Sequence, residues 1–415
     1  MKSHIVNSLF VVFTAPLLVS FCVADDWPQF LGQNRDGKST ELGLVSSWPK
    51  DGLKETWRKK LGPGMSGIAI VNDQLVTMFQ DDRQQYVICL NASNGNKRWK
   101  TAVAPTYQNS MGHGPRATPT ISNGIVYAYT GEGILASLDL KSGKEIWKVD
   151  LRKSNGGKPA EYGTSGSPVV LDDEVIVPTN PGKYSICSFA KEDGKFLWGT
   201  NDEVSGYASP MFLDSNAGKS IAMFSGKSLF GVEPGSGRLI WQYDFPTEYN
   251  CNTASPINIG KNIFVSSGEN HGSALLSVDR TDGRWKVTEV WKSFGRDSVL
   301  RCEWQTPIFH NGYVFGFDNV GSAGPATHLT CIDAKTGKRM WQKVRFGKGN
   351  MIFADDKLLI STMKGELVIV NATSAKFEEL GRQKIIGQTR QAPAISSGKV
   401  YLRDQSEIVC IDLAK

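Results

Sequence analysis

From Trp57 onward the chain is built of short apolar runs separated by turn residues. Runs such as Ile125-Val126-Tyr127-Ala128 and Tyr313-Val314-Phe315 follow two-residue turns, and similar turns recur at Asn123-Gly124, Asp172-Asp173, Asn311-Gly312 and Asp355-Asp356. This is the pattern of hairpin-connected strands. A small residue and Pro open each unit, at Thr118-Pro119, Ser167-Pro168, Ser209-Pro210, Ser255-Pro256, Thr306-Pro307 and Ala392-Pro393, with Ser66-Gly67 and Asn350-Met351 as versions without Pro. Each unit closes on a second phrase: a small residue, an apolar one, an acid or amide, turn residues usually ending in Gly, then Trp. Copies run from Cys89 through Gly95 to Trp99, from Ser137 through Gly143 to Trp147, and on to Trp198, Trp241, Trp291 and Trp341. Val370-Asn371-Ala372-Thr373-Ser374 and Cys410-Ile411-Asp412-Leu413 are degenerate copies. Eight copies at a period in the forties predict a ring or array of four-stranded meanders.

Pro at the first residue of an innermost strand sacrifices no needed ladder hydrogen bond, and Asp or Asn followed by Gly turns the chain into the outermost strand. The Trp there offers a flat apolar face to the neighbouring blade, and truncating a buried Trp costs about 3–5 kcal/mol. One blade cannot cover both of its own faces, whereas a closed ring can. The expected fold is therefore all-β: an eight-bladed β-propeller of four-stranded antiparallel blades over residues 57–415, at about 44 residues per blade. The last copy lacks an outer strand, and Glu55-Thr56-Trp57-Arg58-Lys59 is an outer strand with nothing before it. Trp57 is thus expected to complete the blade of Cys410-Ile411-Asp412, which removes open sheet edges. The Trp series reads as core and not as a cofactor platform.

Residues 1–24 read as a signal peptide, with Lys2 before an apolar stretch and small residues before a cleavage site at Cys22-Val23-Ala24. Cys22 offers lipid attachment as an alternative, against which Phe21 is large for a lipobox. No later stretch reaches the ~18 apolar residues of a membrane span. The expected location is therefore outside the cytoplasm, periplasmic or extracellular, with the chain soluble and monomeric. Residues 25–56, containing Trp27-Pro28-Gln29-Phe30-Leu31-Gly32 and Trp48-Pro49, read as a strap packed on the propeller wall, since free aromatics would be a liability. The alternative is a partner-binding arm.

Net charge is +6, and removing Lys2 leaves about +5, too mild over this length for a nucleic-acid surface. Cys89, Cys331 and Cys410 occupy the small-residue slot of the repeat in different blades and are expected to be buried thiols. Cys187 lies one residue out of that register. Cys251 and Cys302 precede their Pro residues by equal intervals, a placement that leaves a disulfide between neighbouring blades open.

Candidate chemistry gathers where the chain enters the innermost strands, around the mouth of the central channel. Three places before each Pro or its equivalent stand Gly64, Arg116, Ser165, Tyr207, Thr253, Trp304, Lys348 and Arg390, flanked by His113, Tyr162, Tyr249, Asn250, Asn252 and Glu303. Arg116, Tyr207, Asn252, Glu303, Trp304 and Arg390 are the candidate binding residues, suited to a polar or anionic ligand or to a protein; a water-filled funnel is the alternative. No catalytic or metal-ligating motif stands out. Asp279-Arg280-Thr281-Asp282-Gly283 coincides with a repeat turn and has Val290 at the twelfth position of a would-be calcium loop, and Gly163-Thr164-Ser165-Gly166-Ser167 lacks the second Gly of a nucleophile elbow.

Phrases such as Cys331-Ile332-Asp333-Ala334-Lys335-Thr336-Gly337-Lys338-Arg339-Met340-Trp341 resemble the tryptophan-docking repeat of the pyrroloquinoline quinone (PQQ) propeller superfamily, over the whole chain from Trp57. The opening at Trp27-Pro28-Gln29-Phe30 is similar to that of exported bacterial PQQ-like propellers. The resemblance implies an eight-bladed ring and two functional branches. Quinoprotein alcohol dehydrogenases hold PQQ beneath a disulfide of adjacent cysteines, with calcium and a catalytic Asp; no two cysteines are adjacent in this chain. The other branch is the non-enzymatic assembly lipoprotein BamB. The expectation is an exported binding or assembly scaffold without a cofactor, acting on an envelope protein or a small polar ligand, with a PQQ- and calcium-dependent dehydrogenase as the alternative.

Overall fold

Strand pairing closes the ring through the two ends of the described chain. The computed structural model describes residues 26–156, 160–179, 182–321 and 326–414, so the expected signal peptide and Cys22 lie outside it. Among the described residues, eight four-stranded antiparallel sheets form blades 1 (69–105), 2 (120–150), 3 (169–200), 4 (211–244), 5 (257–294), 6 (308–343), 7 (349–384) and 8 (394–412). Blade 8 contributes three strands of its own and takes Lys54–Lys60 as its outermost one, with Trp57 opposite Cys410 and Lys60 opposite Glu407. The expected all-β, eight-bladed propeller and its terminal closure are thus both present.

The repeat phrase has a direct packing meaning. Trp99 sits opposite Cys89, Trp147 opposite Ser137 and Trp341 opposite Cys331, the small residue of its own blade, with a register shift just after the pair; blade 5 departs from this, with Trp291 opposite Leu275. The rings of Trp57, Trp99, Trp147, Trp198 and Trp291 cross to the next blade and cover the turn glycine there: a Cβ on Gly95 would stand 2.7 Å from Trp57, and one on Gly194 2.7 Å from Trp147. The indole N–H donates to a carbonyl of the neighbouring blade's turn in Trp57 to Ala92, Trp99 to Leu140 and Trp147 to Lys191, each at 2.8 Å, whereas Trp198 donates to Glu174 at 2.8 Å and Trp241 to Ser220 at 3.3 Å within their own blades. Three contacts therefore explain the small residue, the glycine and the tryptophan together.

Blade 7 lacks a repeat Trp, and the segment before the ring supplies one. Gly381 pairs with Ile369 at the register where the other blades carry Trp, again with a shift after the pair. The ring of Trp48 lies where a Cβ of Gly381 would be. Trp48 thus occupies from outside the chain's own blade the position that the degenerate copy leaves vacant.

The small residue before each Pro also acquires a reason. The backbone N–H of Thr118 donates to the Ser167 hydroxyl at 2.9 Å, that of Ser167 to Ser209 at 2.9 Å, that of Ser209 to Ser255 at 3.1 Å and that of Ser255 to Thr306 at 3.0 Å. From blade 2 to blade 6 a hydroxyl at this place joins one innermost strand to the next, satisfying backbone donors that no ladder reaches.

The segment before the ring departs from its expected place on the wall. Residues 41–53 do run along blades 7 and 8, where the Leu44 N–H donates to Asp355 and that of Val45 to Leu413. Residues 27–39 instead cross the central channel. Trp27 pairs with Ile70 of blade 1, the Ile121 N–H of blade 2 donates to Pro28, and the Phe353 N–H of blade 7 donates to Gly37. Arg35, 4% exposed, donates to the carbonyls of Pro168 at 2.9 Å, Ser167 at 3.2 Å and Pro210 at 3.1 Å, in blades 3 and 4. Burial pushes its guanidinium down to about 9. Gly37 is required twice over, since its φ is +72° and a Cβ would stand 2.5 Å from Ile308 of blade 6. The physical cause is that eight innermost strands leave an axial hole whose backbone carbonyls need donors, and the aromatic and Arg side chains of this segment supply both volume and donors.

Candidate functional site

With one end of the channel filled, the remainder is a cup. Asp26 accepts from the Asn72 N–H and Glu41 from that of Gly398, both in turns that leave the innermost strands, so the plug seals that end. Trp27, Phe30 and Leu31 form the floor of a cavity of about 810 Å³ that opens among the loops leading into the innermost strands. Of the eight positions three places before each Pro or its equivalent, all but Gly64 line it: Arg116, Ser165, Tyr207, Thr253, Trp304, Lys348 and Arg390. The repeat register therefore located the wall of the cup. Its size falls within the ~300–1,000 Å³ of small-molecule sites.

The candidate residues divide by what they do there. Trp304 lies between two cations, with the Lys348 ammonium 4.2 Å and the Arg390 guanidinium 4.9 Å from its ring centroid. The Arg390 guanidinium donates to the Met111 carbonyl at 3.2 Å, and burial lowers its pKa. Glu303 pairs with Lys348 at 2.7 Å and accepts from Asn319. Tyr207 stacks at a tilt on Tyr162, centroids 5.7 Å apart, and burial pushes its hydroxyl up to about 12. These four candidates face the cup.

Arg116 and Asn252 are engaged with backbone. Arg116 touches the cup, yet its guanidinium is spent on the carbonyls of Tyr162 at 2.5 Å, Gly114 at 2.6 Å and Gly112 at 2.7 Å, and it stacks on Tyr107. It braces the loops around it. Asn252 is fully buried and donates to the Ser225 carbonyl at 2.8 Å, behind the wall. A loop side chain with three or four hydrogen-bonding sites is as useful for tying backbone as for meeting a ligand, and sequence position alone does not separate the two.

The sequence reading missed the floor, four methionines (Met65, Met111, Met351 and Met363) and Glu269. Glu269 and Asn270 turn the hairpin between Gly268 and His271 with φ of 52° and 64°, a left-handed pair usually given to Asn-Gly. A Glu in that turn is a legible signal. Its carboxyl is held above the usual range by burial first, then by Glu303 and Glu248. Cys251 lines the cup as a free thiol pushed up to about 11 by burial, and Cys302 is a separate, fully buried thiol. The Asp282-Gly283 segment is a hairpin turn with both residues at positive φ.

The family model described as outer membrane protein assembly factor BamB matches residues 43–198 and 83–343. BamB of Yersinia pestis is 21% identical over 346 residues, covering 78% of each chain. A tetrathionate hydrolase of Acidithiobacillus ferrooxidans is 23% identical over 252 residues, and the match spans 56% of this chain and 46% of the hydrolase's length. The crystal structure of a quinohemoprotein alcohol dehydrogenase from Comamonas testosteroni superposes with a TM-score of 0.68 at 14% identity, covering 94% of this chain and 80% of that one. Such likeness is one of fold. The carboxylates lining the cup are Glu269 and Glu303, the latter paired with Lys348, and no three His, Cys, Asp or Glu side chains converge on a metal-ion site among the described residues.

Proposed function

This chain belongs to the family whose model is described as outer membrane protein assembly factor BamB, and from that membership we propose that it is an exported, non-enzymatic binding scaffold. The observation that carries this reading is the cup itself: a rigid ring closed by its own termini, plugged at one end, presenting Trp304, Lys348, Arg390 and Tyr207 from four different blades at the other. Aromatic and Arg side chains in partly desolvated positions are the commonest binding hot spots, at about 2 kcal/mol or more each. Among the described residues no helix is long and apolar enough to cross a membrane, in keeping with a scaffold that works beside one.

The test uses the full exported chain as bait for envelope proteins of its own cell, compared with W304A/R390A. The double variant is expected to keep its melting temperature and lose at least tenfold in affinity for the captured partner. Equal capture by both proteins would remove the cup mouth from the reading. A parallel absorbance titration with PQQ and Ca²⁺ that saturates at one equivalent would favour the oxidoreductase instead.

A further inference from the structure

Resting on the cup as a binding site, we infer that its blade 3–5 side is a receptor for an organic ammonium ion, seated between the Glu269 carboxylate and the faces of Tyr162, Tyr207 and Tyr249. All four side chains line the cavity. Glu269 has no hydrogen-bond or ion-pair partner among the described residues, although it is partly withdrawn from water. The carboxylate is half-buried and meets water in the open cup, so an occupant that displaces this water must bring a cation to offset the lost hydration. The field around it does not supply that partner. Glu303 and Glu248 oppose its ionisation, and Lys348, paired with Glu303 at 2.7 Å, favours it less than either opposes it.

The backbone holds the carboxylate there against its own preference. Glu269 has φ of +52° in a two-residue turn where Asn or Gly is the unstrained choice. The turn is also wedged against the Glu303 loop, since a Cβ on Gly268 would stand 2.7 Å from the Glu303 Cβ. A non-glycine residue in this conformation persists only where the surroundings fix it, and such sites concentrate in ligand clamps.

The chemical class follows from what else is present. A metal ion is poorly served, because phenol rings offer faces and Glu269 is a single carboxylate. An alkylammonium is well served: its charge meets the carboxylate, and its methyl or methylene surface meets aromatic faces, an attraction worth more once desolvated. The sealed floor of Trp27, Phe30 and Leu31 limits the ligand to one that enters and leaves by the mouth. The same chemistry is carried by a free amine and by a lysine side chain of a protein, and the two are separable.

The experiment is calorimetric titration of the full exported chain with n-butylammonium, choline, n-butyrate and acetyl-Gly-Lys-Gly-amide. At least one ammonium probe is expected to saturate at one equivalent, and butyrate to bind at least tenfold more weakly. E269Q should weaken the ammonium probe at least tenfold. E269N, which suits the left-handed turn, should lose binding equally while raising the melting temperature, a combination that a merely structural Glu would not give. Tighter binding of the lysine peptide than of butylammonium and choline supports the site and identifies a protein side chain as its source; the reverse supports the site and identifies a free amine. Absence of saturation by every ammonium probe, or E269Q binding like the wild type, overturns the inference. If no ammonium probe binds while the full chain still captures its partner, this inference fails and the scaffold reading stands; if ammonium binds and no partner is captured, the reverse holds.

Discussion

If Trp48 stands in for the missing tryptophan of blade 7, moving an indole from one position to the other should restore what removing it costs. Trp48 is half-buried on Gly381, whose register matches that of Trp341 in blade 6 and Trp147 in blade 2. Removing a fully buried Trp costs about 3–5 kcal/mol; half that burial gives about 2 kcal/mol for W48A. G381W alone drives a second side chain into the Trp48 ring and should cost about 1–3 kcal/mol by overpacking. Gly381 is not in the left-handed region, so its backbone accepts a side chain. W48A/G381W should therefore be within about 1 kcal/mol of wild type, with a coupling of about 2 kcal/mol or more between sites that the sequence separates widely. Reversible urea unfolding of the four proteins, read as midpoints at constant m-value, measures the cycle. Additive losses, with the double variant least stable of all, would refute the replacement.

Other outcomes follow from the plug, the brace and the thiols. R35M leaves three channel carbonyls without their donor, at about 1–3 kcal/mol each, so it should lose about 3 kcal/mol or more, and R35K should recover less than half because an ammonium cannot fork between them; urea unfolding with unchanged midpoints would count against the plug as a stabilising element. N252A should lower stability by about 2 kcal/mol while leaving ligand and partner affinity unchanged, which paired unfolding and binding titrations check. Burial pushes the thiols of Cys89, Cys331 and Cys410 up to about 11, 12 and 11, so native protein at pH 8 should resist thiol reagents there and react only on denaturation. Because these folded pKa values lie above those of the unfolded chain, their contribution is complete below about pH 8.5 and is lost as pH rises toward 11, at about 1.4 kcal/mol per pH unit for each thiol. The decline between pH 8.5 and 10.5 should be shallower in C89S/C410S.

Blade number, strand order and closure were legible because each follows from a local rule that repeats: Pro where no ladder donor is needed, Gly where an indole lies flat, a small residue opposite that indole. The arc of the cup was legible for the same reason, since a fixed offset from Pro marks a fixed place on the wall. What a wall residue does was not legible. Arg116 and Arg390 hold equivalent positions, yet one is consumed by three carbonyls and the other lies against an indole, and only the path of the neighbouring loops decides between them. The plug escaped detection because Trp27 and Arg35 belong to no repeat, and Arg35 finds its acceptors in blades 3 and 4. Trp48 was hidden likewise, its meaning residing in an absence at Gly381.

The pairing of Lys54–Lys60 with blade 8 also sets an order of assembly. Arg58 and Glu407, which meet across that pair, are separated by 349 residues. An emerging chain makes the first of these strands before any blade and its partner only after seven blades, and the plug segment must wait as well, because its anchors lie in blades 1 to 4, 7 and 8. Long-range closure of this kind delays its reward until most of the entropy cost has been met, which slows folding and makes it all-or-none. Until then the aromatic segment and two unpaired strand edges are exposed to other chains. A chain truncated within blade 8 would consequently not be a propeller short of one blade; it would be an open ring with a loose cork, and aggregation or proteolysis would be its fate.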